Sequence, residues 1–160
     1  AEEAQRQIDC IVLACSHMSA SKTGALIIIT KNQGLNEYAD TGEIVDAAIS
    51  VQMIENIFFK NTPLHDGAMI ISSGRIYAAA CILPVSKRQD LPKSYGLRHR
   101  AALGLAEKTD AIAIVGSEET GKISVAQGNT IKTVSTNELE HTYLAPAYGV
   151  EYNKDNNKTK

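Results

Sequence analysis

The stretch GAMIISSGRIYAAACILP, residues 67–84, decides how the fold is read. Two apolar runs flank a Ser73-Gly74 step, and such a step turns a chain back on itself. The pattern predicts an antiparallel hairpin, which argues against a strictly alternating βαβ array. Upstream, GALIIIT (24–30) is short, β-branched and bounded by turn residues, so it reads as a buried strand. Downstream, AIAIVGS (111–117) reads as another, and KISVAQGNTIKTV (122–134) as a second hairpin through Gln127-Gly128-Asn129.

Helical spacing appears in three places. Ile8, Ile11, Val12, Cys15 and Met18 recur on one face over residues 3–18. Val51, Ile54, Ile57 and Phe58 mark a second helix that ends before Pro63, and RHRAALGLAEKTD (98–110) forms a third. Residues 84–97 form a polar loop with two prolines, whereas NEYADTGEIVDAAIS (36–50) fits neither period. The tail from about residue 149 is rich in Asn and Lys and is expected to be disordered. The expected fold is one α/β (mixed α+β) domain: a mixed, mostly antiparallel central sheet flanked by helices. No internal repeat interrupts it.

Composition bounds the function. At 160 residues the chain is one domain's length, and 44% hydrophobic with 21% charged residues is ordinary for a globular domain. A net charge of −2, only two Phe and no Trp argue against a nucleic-acid module, which needs basic charge and stacking platforms. The three cysteines, Cys10, Cys15 and Cys81, lack metal-finger spacing and fit a reduced, cytosolic chain. No apolar run approaches a membrane span, and no secretory signal is present. The start at AEEAQRQ, without Met, is what a fragment of a longer chain would show.

Two short motifs carry the chemistry. His65-Asp66 stands directly before Gly67-Ala68. Taken alone it reads as a turn beside a loop histidine; as a site, the small residues would let a ligand approach under the carboxylate. Arg98-His99-Arg100 opens a helix, although cations at a helix N-terminus oppose the macrodipole. That placement makes sense where an anion completes the site. Residues 84–100 hold five Lys/Arg against one acid, which by itself would be a solvated basic loop. Together, a metal-binding carboxylate and phosphate-holding cations are what nucleotidyl transfer requires. GSEETGKI (116–123) looks like a P-loop but fails: Ile123 replaces the hydroxyl residue, two glutamates would repel phosphate, and strand rather than helix follows.

TPLHDGAMII (62–71) and LRHRAALGLAEKTDAIAIVGSEETG (97–121) resemble the paired DGA and RHR motifs of the diadenylate cyclase (DAC) domain, which makes cyclic di-AMP from two ATP. The likeness runs from GALIII at 24 through SVA at 126 and is closest to the branch whose catalytic domain follows transmembrane helices. It implies the DAC fold, with residues 1–20 as a connector helix, 21–148 as the catalytic domain and 149–160 as the tail. It implies that Asp66 binds Mg²⁺ or Mn²⁺ and activates the ribose 3′-hydroxyl, with His65 as a further metal ligand. Gly67 and Ala68 would lie against the nucleotide, Ile82 and Leu83 near the adenine. Arg98, His99 and Arg100 would engage the phosphates, with Ser117, Glu118, Glu119 and Thr120 on the phosphate and metal side.

Two positions depart from the family pattern. Leu97 stands where the family often has Thr, and Ile82 where an aromatic is common. The resemblance further implies a head-to-head homodimer as the active state, with no nucleic-acid partner and any regulatory protein unidentified. It places the full-length protein at the cytoplasmic face of the cell membrane, held only through an N-terminal anchor missing here. The alternative is a catalytically silent nucleotide-binding sensor, which should have lost the metal carboxylate.

Overall fold

The computed structural model describes residues 1–152. Helix α1 (Glu2–Ser21) leads into strand β1 (Ala25–Ile29), helix α2 (Asn36–Ala39), strand β2 (Glu43–Ala48) and helix α3 (Val51–Phe58). The hairpin β3 (Ala68–Ser72) and β4 (Arg75–Cys81) follows, then α4 (Leu97–Lys108), β5 (Ile112–Gly116) and the hairpin β6 (Ile123–Gln127) and β7 (Thr130–Val134). A short helical run closes the domain: Thr136–Glu138, a π-helical turn Leu139–Leu144, and Ala145–Ala147.

The strands form one sheet in the order β2-β4-β3-β1-β5-β6-β7. Among the described residues only β1 and β3 pair in parallel, with Ile28 opposite Ile70; every other pair is antiparallel. This is the mixed sheet that the 67–84 hairpin predicts. Ser73 (φ 51°) and Gly74 (φ 73°) are both left-handed, the conformation a tight two-residue hairpin turn demands. Gly128 (φ 62°) opens the second hairpin turn in the same region of backbone space.

Alternation along the strands builds two cores, because successive side chains point to opposite faces. Ala25, Ile27 and Ile29 of β1 pack with Ile8, Ile11, Met18, Ile54, Phe58 and Leu144 under α1, α3 and the C-terminal turn. Leu26 and Ile28 face the other way, towards α4. There the contacts are small: Ala101, Ala102 and Ala106 of the helix lie against Ala68, Ala78, Ala113 and Ala126 of the sheet. Gly104 continues that economy of volume, since a Cβ there would run into the Pro84 carbonyl. The β4–α4 loop therefore lies directly on the helix.

The ambiguous stretch 36–50 divides into α2 and the edge strand β2. Edge position explains the missing pattern: only Val45 and Ala47 turn towards the main core, each half-buried, while apolar Ile44 and Ala48 stay exposed beside Asp46, so the alternation of burial is not an alternation of residue type. Asp46 sits at φ 50° where the register slips between Ile44 and Ala47. Arg75 clamps that bulge, donating from Nε to Asp46 Oδ1 at 2.6 Å and from Nη2 to the Asp46 carbonyl at 2.6 Å. Helix α1, expected as a connector, puts Ile8, Ile11, Ala14, Cys15 and Met18 into the main core. Arg6 pins it further by donating to the Ile49 carbonyl at 2.8 Å. Of the expected disordered tail, Gly149 to Tyr152 are described, and Tyr152 donates to Glu140 at 2.7 Å; the rest lies outside the described residues.

Candidate active site

A cavity of about 530 Å³ opens at one end of the sheet, where β1 and β3 begin and β4 and β5 end. Its size is that of a small-molecule site. The start of α4 forms one wall and the turn before β3 forms the other, so the topology brings the two motifs, about thirty residues apart in sequence, face to face.

The acid wall is shaped by backbone. Gly67 has φ 99°, and a Cβ on it would lie 2.8 Å from the Ala80 carbonyl carbon. No other residue type meets both demands. Opposite it, Ala80 itself takes φ 55°, a strained conformation for a residue with a side chain. This paired irregularity turns Asp66 outward, its carboxylate 86% exposed at the cavity. His65 Nδ1 lies 2.7 Å from the Thr62 carbonyl, which can only accept, so Nδ1 carries the proton. In the neutral ring that leaves the Nε2 lone pair 3.3 Å from Asp66 Oδ1. Two facing acceptors suit a shared cation.

The basic wall is sunk into the fold. Helix α4 begins at Gly96 without a side-chain cap, and its first helical backbone bond is Arg100 N–H to the Gly96 carbonyl at 3.3 Å. The amides of Leu97, Arg98 and His99 have no partner among the described residues and are open to an anion. Arg98 is only 23% exposed, and its guanidinium lies flat over Gly24: a Cβ there would be 2.6 Å from the guanidinium carbon. Its Nη1 lies 3.5 Å from Glu118 Oε1, while its buried Nε has no hydrogen-bond partner among the described residues.

His99 is 6% exposed and stacks on Tyr95, ring centroids 4.2 Å apart and planes within 3°. The Gly96 amide donates to its Nδ1 at 3.0 Å. Burial, aided by the neighbouring Arg98 charge, lowers the pKa of the ring, so it is neutral at pH 7 with its proton on Nε2.

Of the residues expected from sequence, Asp66, His65, Gly67, Ile82, Leu83, Arg98, His99, Ser117, Glu118 and Glu119 line the cavity. Ala68 is fully buried as the first residue of β3, behind the wall. Arg100 is not brought to the cavity. It lies two residues beyond Arg98 on the helix, where side chains diverge, and its Nη1 donates to the Arg88 carbonyl at 2.6 Å. With Ser86 N–H on the Arg100 carbonyl and Ser86 Oγ on Glu107, it ties the β4–α4 loop to the helix.

The SEET segment is a tight connection between β5 and β6, so no P-loop helix follows it. Ser117 Oγ accepts from the amides of Glu119 and Thr120 at 3.2 and 3.1 Å, which fixes the turn and leaves its own proton to donate. Thr120 stays outside the lining and caps Lys122 N–H at 3.1 Å. Sequence reasoning missed Gly24, Leu26, Cys81, Val85 and Ser94 as part of the site. Only Gly24 left a signal, a glycine opening a β-branched strand, and it was indistinguishable from ordinary punctuation. The Cys81 thiol is pushed up to about 11 by burial and stays protonated.

Comparison with known proteins points to one family. Residues 12–131 match the DAC family model, described as the DisA bacterial checkpoint controller nucleotide-binding domain. The cyclic di-AMP synthase CdaA of Bacillus subtilis is 44% identical over 138 residues, which cover 86% of this chain and 50% of that protein. A diadenylate cyclase of Listeria monocytogenes is 45% identical over 143 residues, 89% of this chain and 52% of the relative. The chain thus spans about half the length of these relatives. The crystal structure of a DacA double mutant from Staphylococcus aureus superposes with a TM-score of 0.89 at 39% identity, covering 92% of this chain and 99% of that one. A Bacillus cereus structure described as a hypothetical membrane spanning protein gives 0.76 at 42% identity, covering 79% and 62%.

Proposed function

The chain belongs to the diadenylate cyclase (DAC) family, and from that premise we propose that it joins two ATP into cyclic di-AMP with release of two pyrophosphates. The observation that carries this reading is the single cavity wall where Arg98, the neutral His99 and the open end of α4 converge opposite the Asp66 carboxylate. The guanidinium and helix amides hold the phosphates, and His99 donates from Nε2. Each ribose 3′-oxygen attacks the α-phosphorus of the other nucleotide. The new P–O bond forms as the bond to pyrophosphate breaks, and the hydroxyl proton leaves by way of the Asp66 side.

A divalent cation, Mg²⁺ or Mn²⁺, fits this chemistry and would polarise the hydroxyl and neutralise phosphate charge. No group of three or more His, Cys, Asp or Glu among the described residues could hold a metal ion. One carboxylate completed by substrate phosphates is how Mg²⁺ is commonly held. Asp66 is that carboxylate, and His65 Nε2 is placed to be a second donor.

One DGA and one RHR motif give one nucleotide site per chain, and the product is two-fold symmetric, so two copies must meet face to face. The exposed apolar residues Ile82, Val85 and Leu97 at the cavity support such a contact. Membrane anchorage of the full-length protein is in keeping with the description of the Bacillus cereus neighbour, and this domain would then lie on the cytoplasmic face. Among the described residues here, no helix is long and apolar enough to cross a membrane.

The test is incubation with ATP and Mg²⁺ or Mn²⁺, with chromatography of the product, over a hundredfold range of protein concentration. Cyclic di-AMP is expected, with specific activity rising with concentration until self-association saturates. Nucleotide binding without product would favour the silent sensor. Flat specific activity in a range where sizing shows only monomer would overturn the shared-site mechanism.

A further inference from the structure

His99 is buried to 6% exposure at the cavity wall, and its Nε2 has no partner among the described residues. A histidine that must present one nitrogen to a ligand needs its ring plane and tautomer fixed by something else. Two contacts do so. The Gly96 amide donates to Nδ1 at 3.0 Å, the role that Glu or Gln plays at the third helical position of a capping box. The Tyr95 ring lies parallel to the imidazole at 4.2 Å and closes its other side.

Tyr95 is itself held by a turn, its amide donating to the Pro92 carbonyl at 3.1 Å. Its neighbours Ser94 and Gly96 line the cavity while Tyr95 does not. This ring is the side-chain support of the histidine. A swing of the imidazole about its χ angles would break the stack and the Gly96 hydrogen bond together.

We propose that Tyr95 is a positioning residue of the site: its ring stacks on His99 and, with the Gly96 amide, holds Nε2–H aimed at the phosphates of the bound nucleotide. The inference rests on the nucleotide reading above for what His99 meets, but not for how His99 is held. Tyr95 touches no substrate atom and acts only through the histidine. The hydroxyl is not required, so Phe should replace Tyr95 and Ala should not.

Three proteins test this: the wild-type chain, Tyr95→Phe and Tyr95→Ala. Long-range ¹⁵N–¹H spectra of the free proteins read the tautomer of His99, one of only four histidines in the chain. Calorimetry with ATP and with adenosine reads the consequence. Wild-type and Tyr95→Phe should show the Nε2–H form and equal ATP affinity. Tyr95→Ala should show a mixture of tautomers and bind ATP about tenfold more weakly, with adenosine unchanged, as expected for losing an ordered hydrogen bond to a charged group. A His99 that stays in the Nε2–H form in Tyr95→Ala, with ATP affinity within about twofold, would overturn the proposal. So would Tyr95→Phe behaving like Tyr95→Ala. The spectra are taken without ligand, so they judge Tyr95 even if the wild-type chain binds no ATP; that failure would overturn the nucleotide reading instead.

Discussion

Asp66 stands almost free in solvent on a turn shaped by backbone, whereas Arg98 and His99 are sunk into the start of a helix packed on most sides. The acid wall depends on Gly67 and Ala80 at positive φ, not on what Asp66 touches. The basic wall depends on side-chain packing: Arg98 over Gly24, His99 against Tyr95, and α4 against a floor of alanines. The difference separates chemistry from stability. A substitution at Asp66 should change reactivity and leave the fold alone, while substitutions along α4 should mix binding with folding.

The largest expected effect tests the acid side of that contrast. Asp66→Asn keeps volume and removes charge, so cyclic di-AMP formation should fall by about 10²-fold or more, the usual loss when an electrostatic catalyst goes. Its thermal midpoint should match wild type, because the carboxylate supports no buried contact. Activity above about a tenth of wild type would remove Asp66 from the mechanism, and a large drop in melting temperature would erase the contrast between the walls.

Arg98 and Arg100 sharpen the comparison within one helical turn. Arg98→Ala should weaken ATP by about 10- to 100-fold while adenosine binds as before, since charge-assisted hydrogen bonds to phosphate contribute roughly 1.5–3 kcal/mol. Arg100→Ala removes the donor to the Arg88 carbonyl, so it should lower stability by about 1–3 kcal/mol and loosen the β4–α4 loop. Urea unfolding and calorimetry together separate the two. Equal loss of ATP affinity with unchanged stability in both variants would mean that Arg100 also reaches phosphate.

That pair marks how far the sequence could be read. The hairpin at 67–84, the buried strand at 24–30 and the helix opened by Arg98-His99-Arg100 all carried local signals, a turn dipeptide or a period, and each lies where those signals put it. Asp66 and Arg98 were legible as a pair: alone each reads as a turn or a solvated loop, but an acid-glycine-alanine step and cations set against a helix macrodipole complement each other. Arg100 was not, because a motif written in sequence order does not say that neighbours on a helix face different ways. Ser117 and Thr120 entered by resemblance to the family's SEET stretch, and the sequence did not show that both hydroxyls also accept from the turn's own amides, Ser117 at the cavity and Thr120 outside its lining. Strand β2 was unreadable because its inner face is only half-buried Val45 and Ala47, and apolar Ile44 and Ala48 stand on the exposed side of a bulged edge. The role of Gly24 depends on a guanidinium that arrives from some seventy residues later in the chain, and no local pattern encodes it.

A smaller effect probes the backbone that holds the acid wall. Ala80 at φ 55° carries a side-chain penalty of roughly 1–2 kcal/mol, partly offset in Ala80→Gly by the greater freedom that glycine loses on folding. The net should be stabilisation by up to about 1 kcal/mol, a rise of a few degrees in the thermal midpoint, with activity unchanged. Destabilisation together with lost activity would mean that the Ala80 methyl group, rather than the bulge, supports the turn beneath Asp66.

The smallest expected effect concerns Leu97, which belongs to both halves of the comparison. It is the first helical residue of the basic wall, yet at 72% exposed it is as open as the acid wall. As leucine it offers the phosphates nothing and leaves an apolar surface beside Ile82, itself 69% exposed. Leu97→Thr restores a hydroxyl at the helix start, and one added hydrogen bond contributes about 0.5–1.5 kcal/mol, or roughly 2- to 10-fold in ATP affinity. The same change removes apolar area from the face where two copies are proposed to meet. ATP binding to the monomer should therefore tighten, while the concentration needed for half-maximal specific activity should rise. Calorimetry at low protein concentration and a dilution series of activity read these two effects separately. If ATP binds no tighter and the dilution curve does not move, Leu97 faces neither the phosphates nor a second copy, and the apolar surface at this cavity needs another explanation.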